Sequence, residues 1–172
     1  SMLEEPKAER VTTALLAARL DVSEAALYRH FASKAQMFEG LIEFVETTIF
    51  TLANKVQSAE TDGVAQAEQI VSMLLGFAQK NPGMTRVLVG DALVNEDERL
   101  QARMNQMYDK LEATLRQSLR TAQMANAWHG DPSSDAAALF AFVMGRWIMF
   151  AKSGFKRLPQ DGWEGQRKFL FD

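Results

Sequence analysis

The spacing of hydrophobic residues along the chain predicts α-helices. Two long segments repeat apolar side chains every three or four residues, which places them along one face of a helix. In a helix predicted from about 33 to 57, this stripe comprises Phe38, Leu41, Ile42, Val45, Ile49, Leu52 and Val56. In a helix predicted from about 97 to 124, it comprises Leu100, Met104, Met107, Leu111, Leu115 and Leu119. Because the sequence lacks alternating Val, Ile and Thr runs, an all-α fold is the simplest prediction.

Shorter apolar arcs predict further helices from about 64 to 80, from 81 to 93 and from 163 to 171. Asn81-Pro82 reads as an N-cap followed by a first helical residue, because proline lacks the N–H that is unpaired at that position anyway. Residues 125–134 form a polar loop in this prediction. The chain therefore alternates helices with short connections.

The segment 136–151 is apolar on nearly every side, interrupted only by Gly145 and Arg146. A membrane span needs about 20 such residues, so this segment is too short and also carries a charge. A helix that is apolar all round is buried on all sides, and we expect a second subunit to cover one of them. The predicted interface side chains of this homodimer are Phe140, Met144, Trp147 and Phe150.

Residues 11–38 show a different pattern, which predicts two short helices, a tight turn and the start of a third helix. Ser23 is a good N-cap for the second helix, and Ser33-Lys34-Ala35-Gln36 reads as a capping box for the third. In the second helix Ala26 and Leu27 can face inward, which leaves small residues, a tyrosine and an arginine on the opposite side. Such a face suits the major groove of DNA. The predicted DNA contacts are Thr12, Thr13, Ser23, Ala25, Tyr28, Arg29, His30 and Lys34.

Three pieces of this segment, Val22-Ser23, Leu27-Tyr28-Arg29-His30-Phe31 and Lys34, resemble the DNA-binding signature of TetR-type transcription regulators. That family usually has glycine in the turn where this chain has Asp21, a residue type that tolerates the left-handed conformation. The resemblance implies a helix-turn-helix domain over residues 1–40 and a helical regulatory and dimerisation domain over 41–172. In TetR-type proteins a whole helix precedes the one at Thr13, so we expect the first helix to be truncated here. The apolar C-terminal end of the chain suggests that the last helix is truncated as well.

Composition restricts the kind of DNA binding and the compartment. The net charge of −3 argues against indiscriminate coating of nucleic acid, and positions 1–34 carry equal numbers of basic and acidic residues. DNA binding must therefore use a local basic face. The sequence has no cysteine and no visible signal peptide, which is compatible with the cytoplasm.

The sequence has no recognisable catalytic constellation, so we predict a protein that is not an enzyme, with no cofactor and no metal. His30 and His129 are the only histidines, and no glycine-rich phosphate loop or nucleophile motif occurs. The acidic residues Asp91, Glu96, Asp97 and Glu98 could suggest a metal site. Carboxylates at a helix N-terminus more often complement the helix dipole, and we favour that interpretation.

Two features fall outside the ordinary core pattern. Phe44 lies about 120° from the centre of its helix's apolar stripe, so either a neighbouring helix covers it or it contacts a partner. Gln69, Met73, Gly76 and Lys80 form a second stripe at the edge of the next helix. This stripe is either a groove wall for a partner segment or a close helix crossing within the chain.

Segments beyond the helix-turn-helix resemble the nucleoid occlusion factors of the TetR-type family: Leu41-Ile42-Glu43-Phe44, Leu74-Leu75-Gly76-Phe77, residues 81–88, residues 97–101 and Phe155-Lys156. The resemblance implies a nucleoid-associated dimer that binds specific chromosomal sites on double-stranded DNA and antagonises polymerisation of the tubulin-like division GTPase FtsZ. It also implies a partner surface of Phe44, Met73, Gly76, Lys80 and Asn81, with Met73 and Lys80 in place of the family's Leu and Arg. The alternative is a TetR-type repressor that is released by a small-molecule effector in an apolar pocket.

Overall fold

The computed structural model describes residues 17–18 and 23–172, and within these residues it is all-α with no strand, which confirms the predicted fold class. The helices are α1 (Glu24–His30), α2 (Lys34–Ala59), α3 (Gly63–Lys80), α4 (Pro82–Leu88), α5 (Glu98–Met124), α6 (Pro132–Lys152) and α7 (Trp163–Phe171). A 3-10 turn, Asp91–Leu93, lies between α4 and α5. Thr12 and Thr13 lie outside the described residues.

Side-chain caps define where most of these helices begin. Ser23 Oγ accepts from the Ala26 N–H and Ser33 Oγ accepts from the Gln36 N–H, as the sequence predicts. Asp62 and Asp97 act in the same way at the starts of α3 and α5. Each cap satisfies N–H groups that have no partner within the helix, so the start of each helix is specified by residues next to it in sequence.

Asn81 is the N-cap of α4 and Pro82 is its first residue, as the sequence predicts, but the cap lacks a side-chain hydrogen bond. The Asn81 side chain instead donates from Nδ2 to the Phe77 carbonyl, 2.8 Å away, at the end of α3. The predicted helix from 81 to 93 is too long. Gly90 adopts a φ of +83°, in the left-handed region that ends helices, so α4 stops before it.

Helices α2 and α3 form an antiparallel hairpin that packs on α5. Gln66 Nε2 bridges the turn by donating to the Glu60 carbonyl at 2.7 Å. At Gly63 a Cβ would lie 2.3 Å from the Ser118 carbonyl oxygen and 2.4 Å from the Ala122 backbone nitrogen. The backbones of α3 and α5 therefore approach each other more closely than any side chain would permit.

The main core lies between α2, α3, α5 and α6, and Trp147 is at its centre. The Trp147 side chain is fully buried, and its Nε1 donates to the Leu74 carbonyl of α3 at 3.1 Å. Its ring lies edge-on to Phe140, whose ring in turn lies 5.7 Å from that of Tyr108. A smaller core of Ala17, Leu27 and Met37 lies at the start of the chain. The domain boundary near residue 40 stays a prediction.

These contacts correct the predicted dimer interface. Phe140, Trp147 and Phe150 are buried within one subunit, and Met144 packs against the same core. Trp147 and Phe150 therefore have no exposed surface for a second subunit and Phe140 has little, whereas the partly buried Met144 stays a predicted interface residue. The exposed residues on the opposite side of α6 are Ala137, Ala138, Ala141, Gly145 and Met149.

Helix α6 is also longer than the sequence predicts, because it begins at Pro132 with Asp131 as its cap. Among the described residues it is the one helix that is long and apolar enough to cross a membrane. Soluble core helices pass the same test, and the side of α6 that carries Val143 and Trp147 packs into the protein. The prediction that this segment is too short to cross a membrane is thus wrong, whereas the argument from the charge of Arg146 still applies.

Candidate nucleic-acid and partner interfaces

The predicted DNA-reading residues lie on the exposed side of α1. Leu27 is buried and anchors the helix on the small core, while Ser23, Ala25, Tyr28, Arg29 and His30 are all exposed. Tyr28 is 46% exposed despite its apolar ring. A short helix with small residues, a tyrosine hydroxyl and a guanidinium on one face can approach base edges closely and donate to phosphates.

Lys34, the remaining predicted DNA contact, has a partner within the chain. Its Nζ forms an ion pair with Glu96, which is 62 positions away and whose side chain is only 8% exposed. Lys34 also lies over the Phe38 ring, 5.9 Å from the centroid. Nothing near Lys34 in the sequence signals Glu96. The dipole interpretation holds for Asp97, which caps α5, but not for Glu96.

Two further ion pairs join α2 to the beginning of α5. Arg99 pairs with Glu39 at 3.0 Å and Arg103 pairs with Glu46 at 2.9 Å. The hydrogen bond with Glu46 raises the pKa of Arg103 above its ordinary value. Together with Lys34 and Glu96, these pairs connect the helix that follows α1 to the body of the protein along one side. Within the described ranges no group of three or more His, Cys, Asp or Glu could hold a metal ion.

The predicted partner residues lie on α2 and α3, which pack against each other. Phe44 is 54% exposed, so none of the helices that the structure describes covers it. On α3, Lys80 is exposed and Met73 is half-buried against the core. Asn81 is half-buried, with its amide committed to the Phe77 carbonyl. An exposed aromatic ring, a partly exposed thioether and a cation therefore border the α2–α3 hairpin.

Gly76 has a neighbour that the sequence does not reveal. A Cβ there would lie 3.2 Å from Nε2 of Gln160, in the connection between α6 and α7. This neighbour belongs to a loop, so among the described residues Gly76 does not mark the close helix crossing that was one of its two explanations. The neighbouring group is the flexible end of the Gln160 side chain. The space beside Gly76 is therefore bordered by a side chain that can move and not by backbone atoms.

Two family models match the chain. Residues 8–41 match the family described as bacterial regulatory proteins of the tetR family, and residues 61–172 match the family described as tetracyclin repressor-like, C-terminal domain. The structure is similar to a TetR family transcriptional regulator, PfmR, from Thermus thermophilus, with a TM-score of 0.78, 17% identity, and coverage of 99% of this chain and 96% of that one. It is likewise similar to a TetR transcription regulator from Haloarcula marismortui, with a TM-score of 0.80, 15% identity, and coverage of 99% and 90%.

Comparison of sequences identifies the family of this chain more specifically than comparison of folds does. The chain is 46% identical over 167 residues to the nucleoid occlusion factor SlmA of Alteromonas mediterranea, which covers 96% of this chain and 86% of the relative. It is 46% identical over 160 residues to the nucleoid occlusion factor SlmA of Escherichia fergusonii, which covers 92% and 81%. The chain belongs to the SlmA family of nucleoid occlusion factors, within the TetR-type regulators.

Proposed function

We propose that this protein binds specific chromosomal sites as a homodimer and, when bound to DNA, antagonises polymerisation of FtsZ, which blocks septum formation over the chromosome. It would then act in the cytoplasm, in association with the nucleoid. The observation that supports this proposal best is the exposed Phe44 beside the half-buried Met73 and the exposed Lys80. A large exposed ring on a helix that follows the DNA-binding segment is typical of a protein contact.

Each partner residue has a distinct chemical role in this proposal. Phe44 and Met73 would supply apolar contact area, and methionine adapts to the shape of a bound peptide. Lys80 would attract acidic groups at the end of the same groove. The Asn81 amide already holds the Phe77 carbonyl, so Asn81 would act mainly by fixing the end of α3.

The packing of the core supports this function over a ligand-responsive repressor. Between α5 and α6 the Phe140 ring packs against the rings of Tyr108 and Trp147, with centroids 5.7 and 6.4 Å apart, so an effector could not lie between these three rings. A groove of about 460 Å³ on α2 is open to solvent, and it is lined by Thr51, Asn54, Lys55, Ser58 and Ala59. A groove that is open to solvent differs from the enclosed apolar pocket that suits a small effector.

The test pairs FtsZ binding with DNA binding on the same variants of the full-length protein. Met73→Glu places a charge in the apolar contact and Lys80→Asp reverses the attraction, so each should weaken FtsZ binding by about 1–3 kcal/mol. DNA affinity should survive, because neither residue lies on α1. Lys55→Asp, at an exposed lysine of α2, is the matched control for Lys80→Asp. Fluorescence anisotropy measures both affinities.

Three outcomes decide the matter. Loss of FtsZ binding alone supports the proposal. Loss of both FtsZ and DNA binding indicates a folding defect, which thermal unfolding of the same variants would detect. If both affinities are unchanged, the partner surface is wrong and the effector-controlled repressor becomes the better account.

A further inference from the structure

The connection between α6 and α7, residues 153–162, places one side chain on α3. At Gly76 an added Cβ would lie 3.2 Å from Nε2, 3.7 Å from Cδ and 3.9 Å from Oε1 of Gln160. These three nearest atoms all belong to the terminal amide. The amide itself, and not the stem of the side chain, therefore covers the α3 backbone at Gly76.

The backbone that carries this amide is fixed beside α3. The Gln160 N–H donates to Gln79 Oε1, on the same helix as Gly76, at 3.2 Å. On either side of Gln160, the carbonyls of Pro159 and Asp161 accept from the Arg146 guanidinium at 3.1 and 2.9 Å. Arg146, which interrupts the apolar pattern of α6 in the sequence, thus holds the loop in the position from which Gln160 reaches α3.

The Gln160 amide is not fixed in the same way. Among the described residues it takes part in no hydrogen bond, and Gln160 is exposed. A glutamine side chain has three rotatable bonds, so the amide can swing into solvent while the backbone stays in place. The contacts that it would lose at Gly76 are a few van der Waals contacts, each of which is weak. The amide can therefore leave α3 at little cost and without a movement of the loop.

We propose that the Gln160 amide is a displaceable cover over Gly76, which a peptide segment of the partner must move aside before its own backbone can lie against α3. Non-bonded heavy atoms need about 3.5 Å of separation, so the amide and a peptide backbone cannot occupy this space together. This inference rests on the proposed function, because it concerns how access to that site is regulated. The cover lowers the affinity for the partner, whereas a side chain that bonded the partner would raise it.

The size of the effect follows from the fraction of molecules in which Gly76 is open. The covered conformer is the one observed, so the open conformer is the minority. An open fraction of about one-third raises the apparent Kd about threefold. Gln160→Ala removes the amide and keeps the backbone N–H that bonds to Gln79. We expect this variant to bind FtsZ about threefold more tightly than the unmutated protein.

Fluorescence anisotropy with labelled FtsZ measures this effect in the full-length, DNA-bound protein. Gln106→Ala, at an exposed glutamine of α5, is the matched control and should leave the affinity for FtsZ unchanged. The affinity for DNA should be the same in both variants, because neither residue lies on α1. Unchanged or weaker FtsZ binding by the Gln160→Ala variant, or an equal gain in the control, would overturn the inference.

A second measurement tests the position of the amide without any partner. The side-chain NH2 signals of Gln160 in a proton–nitrogen correlation spectrum are identified by their absence from the Gln160→Ala variant. Gly76→Ala places a Cβ 3.2 Å from Nε2, and the flexible amide can yield without a change in the fold. The Gln160 signals should therefore shift in the Gly76→Ala variant, while those of Gln106 stay in place. If the Gln160 signals do not shift, the amide does not cover Gly76 and the inference is wrong.

The inference and the proposed function fail separately. If Met73→Glu abolishes FtsZ binding and Gln160→Ala does not tighten it, the cover is wrong and the proposed function stands. If Gln160→Ala tightens FtsZ binding but Met73→Glu and Lys80→Asp leave it unchanged, the assigned partner surface is wrong and the cover over Gly76 stands. If neither the unmutated protein nor the Gln160→Ala variant binds FtsZ, both are overturned.

Discussion

Among single residues, Lys34 has the clearest conflict between two roles. The family resemblance assigns it to a DNA phosphate, whereas in the structure its Nζ pairs with the largely buried Glu96. Pairing a cation with an anion is favourable only to the extent that their attraction exceeds the free-energy cost of removing both charges from water. Lys34 can pair fully with only one anion at a time, so a DNA phosphate and the Glu96 carboxylate compete for it. The position of Glu96, just before α5, makes that competition a link between the DNA-binding segment and the protein body.

This competition predicts opposite effects for the two partners. Lys34→Ala should weaken binding to every duplex and reduce the salt slope by about one unit, because one phosphate contact is lost. Glu96→Gln should strengthen DNA binding at low salt, because the carboxylate no longer competes for Lys34. Salt titrations of the full-length protein by anisotropy measure both effects. If Glu96→Gln weakens DNA binding as much as Lys34→Ala does, the ion pair positions the DNA-binding segment and does not compete with DNA.

Tyr108 predicts a dependence of stability on alkaline pH. Burial raises its pKa to about 12, and its hydroxyl donates to the Leu88 carbonyl. The unfolded pKa is about 10, so between about pH 10 and 12 the folded state keeps a proton that the unfolded state releases. This contribution to stability is complete below about pH 10 and is lost as the pH rises through about 12.

Tyr108→Phe should therefore flatten the fall in the free energy of unfolding over that interval, relative to the unmutated protein. Urea unfolding at several alkaline pH values measures the slope. The same substitution at the exposed Tyr28 is the matched control. Parallel slopes for the Tyr108→Phe variant and the unmutated protein would contradict the assignment.

At the scale of elements, the closest approach is between the beginning of α3 and the end of α5, at Gly63. The neighbouring atoms there belong to the α5 backbone, which cannot move aside without breaking helical hydrogen bonds. The α2–α3 hairpin depends on this contact for its position on α5. The proposed partner residues Met73, Gly76 and Lys80 lie on α3, so their position depends on this contact as well.

Gly63→Ala should lower the free energy of unfolding by about 1–3 kcal/mol or more, because the new Cβ overlaps backbone atoms. Gly40→Ala is the control, since its Cβ would meet only the Phe31 ring at an ordinary 3.6 Å. That substitution should be neutral or stabilising by up to about 1 kcal/mol, because alanine favours a helix more than glycine does. Chemical denaturation compares the two, and equal effects would refute the close approach.

At the scale of the whole molecule, the exposed side of α6 and the exposed Phe169 of α7 are the surfaces that the corrected fold leaves for dimerisation. Small residues line that side of α6, and Phe169 is 88% exposed. Among the described residues, a Cβ at Gly145 or Gly165 would meet nothing within 4 Å. Small residues on this side of α6 would allow close helix packing between two subunits, and an exposed ring at Phe169 is a second apolar surface for such a contact.

Ala141→Glu or Phe169→Glu should therefore shift the protein to monomer while keeping its fold, because each places a charge in the proposed contact. The earlier candidates Phe140 and Trp147 would instead unfold the subunit when replaced by Glu, since they are core residues. Gln106→Glu, at an exposed residue of α5, is the control. Sedimentation of the variants measures the state, and a monodisperse monomer of the unmutated protein at micromolar concentration would contradict the prediction.

The sequence by itself determined the features that depend on residues within about four positions of one another. The helical stripes of α2 and α5 and the caps at Ser23 and Ser33 are of this kind, because helix periodicity and capping are local. They were sufficient for the all-α fold and the exposed residues of α1. Spacing alone also placed Phe44 off the apolar stripe of its helix, but it left open whether a neighbouring helix covers the ring, which the structure decided.

Only the tertiary structure decided which groups from distant segments meet. The pairing of Lys34 with Glu96, the placement of Gln160 over Gly76 and the choice of which side of α6 is buried each join segments far apart in sequence. Asn81 is the N-cap that the sequence predicts, but only the structure shows that its amide bonds back to the Phe77 carbonyl. A helix that is apolar all round carries no periodic signal for its buried side, and an ion pair between exposed-type residues leaves no local pattern. These contacts are fixed by how whole helices pack. Close packing depends on the complementary shapes of surfaces from segments that are far apart in sequence.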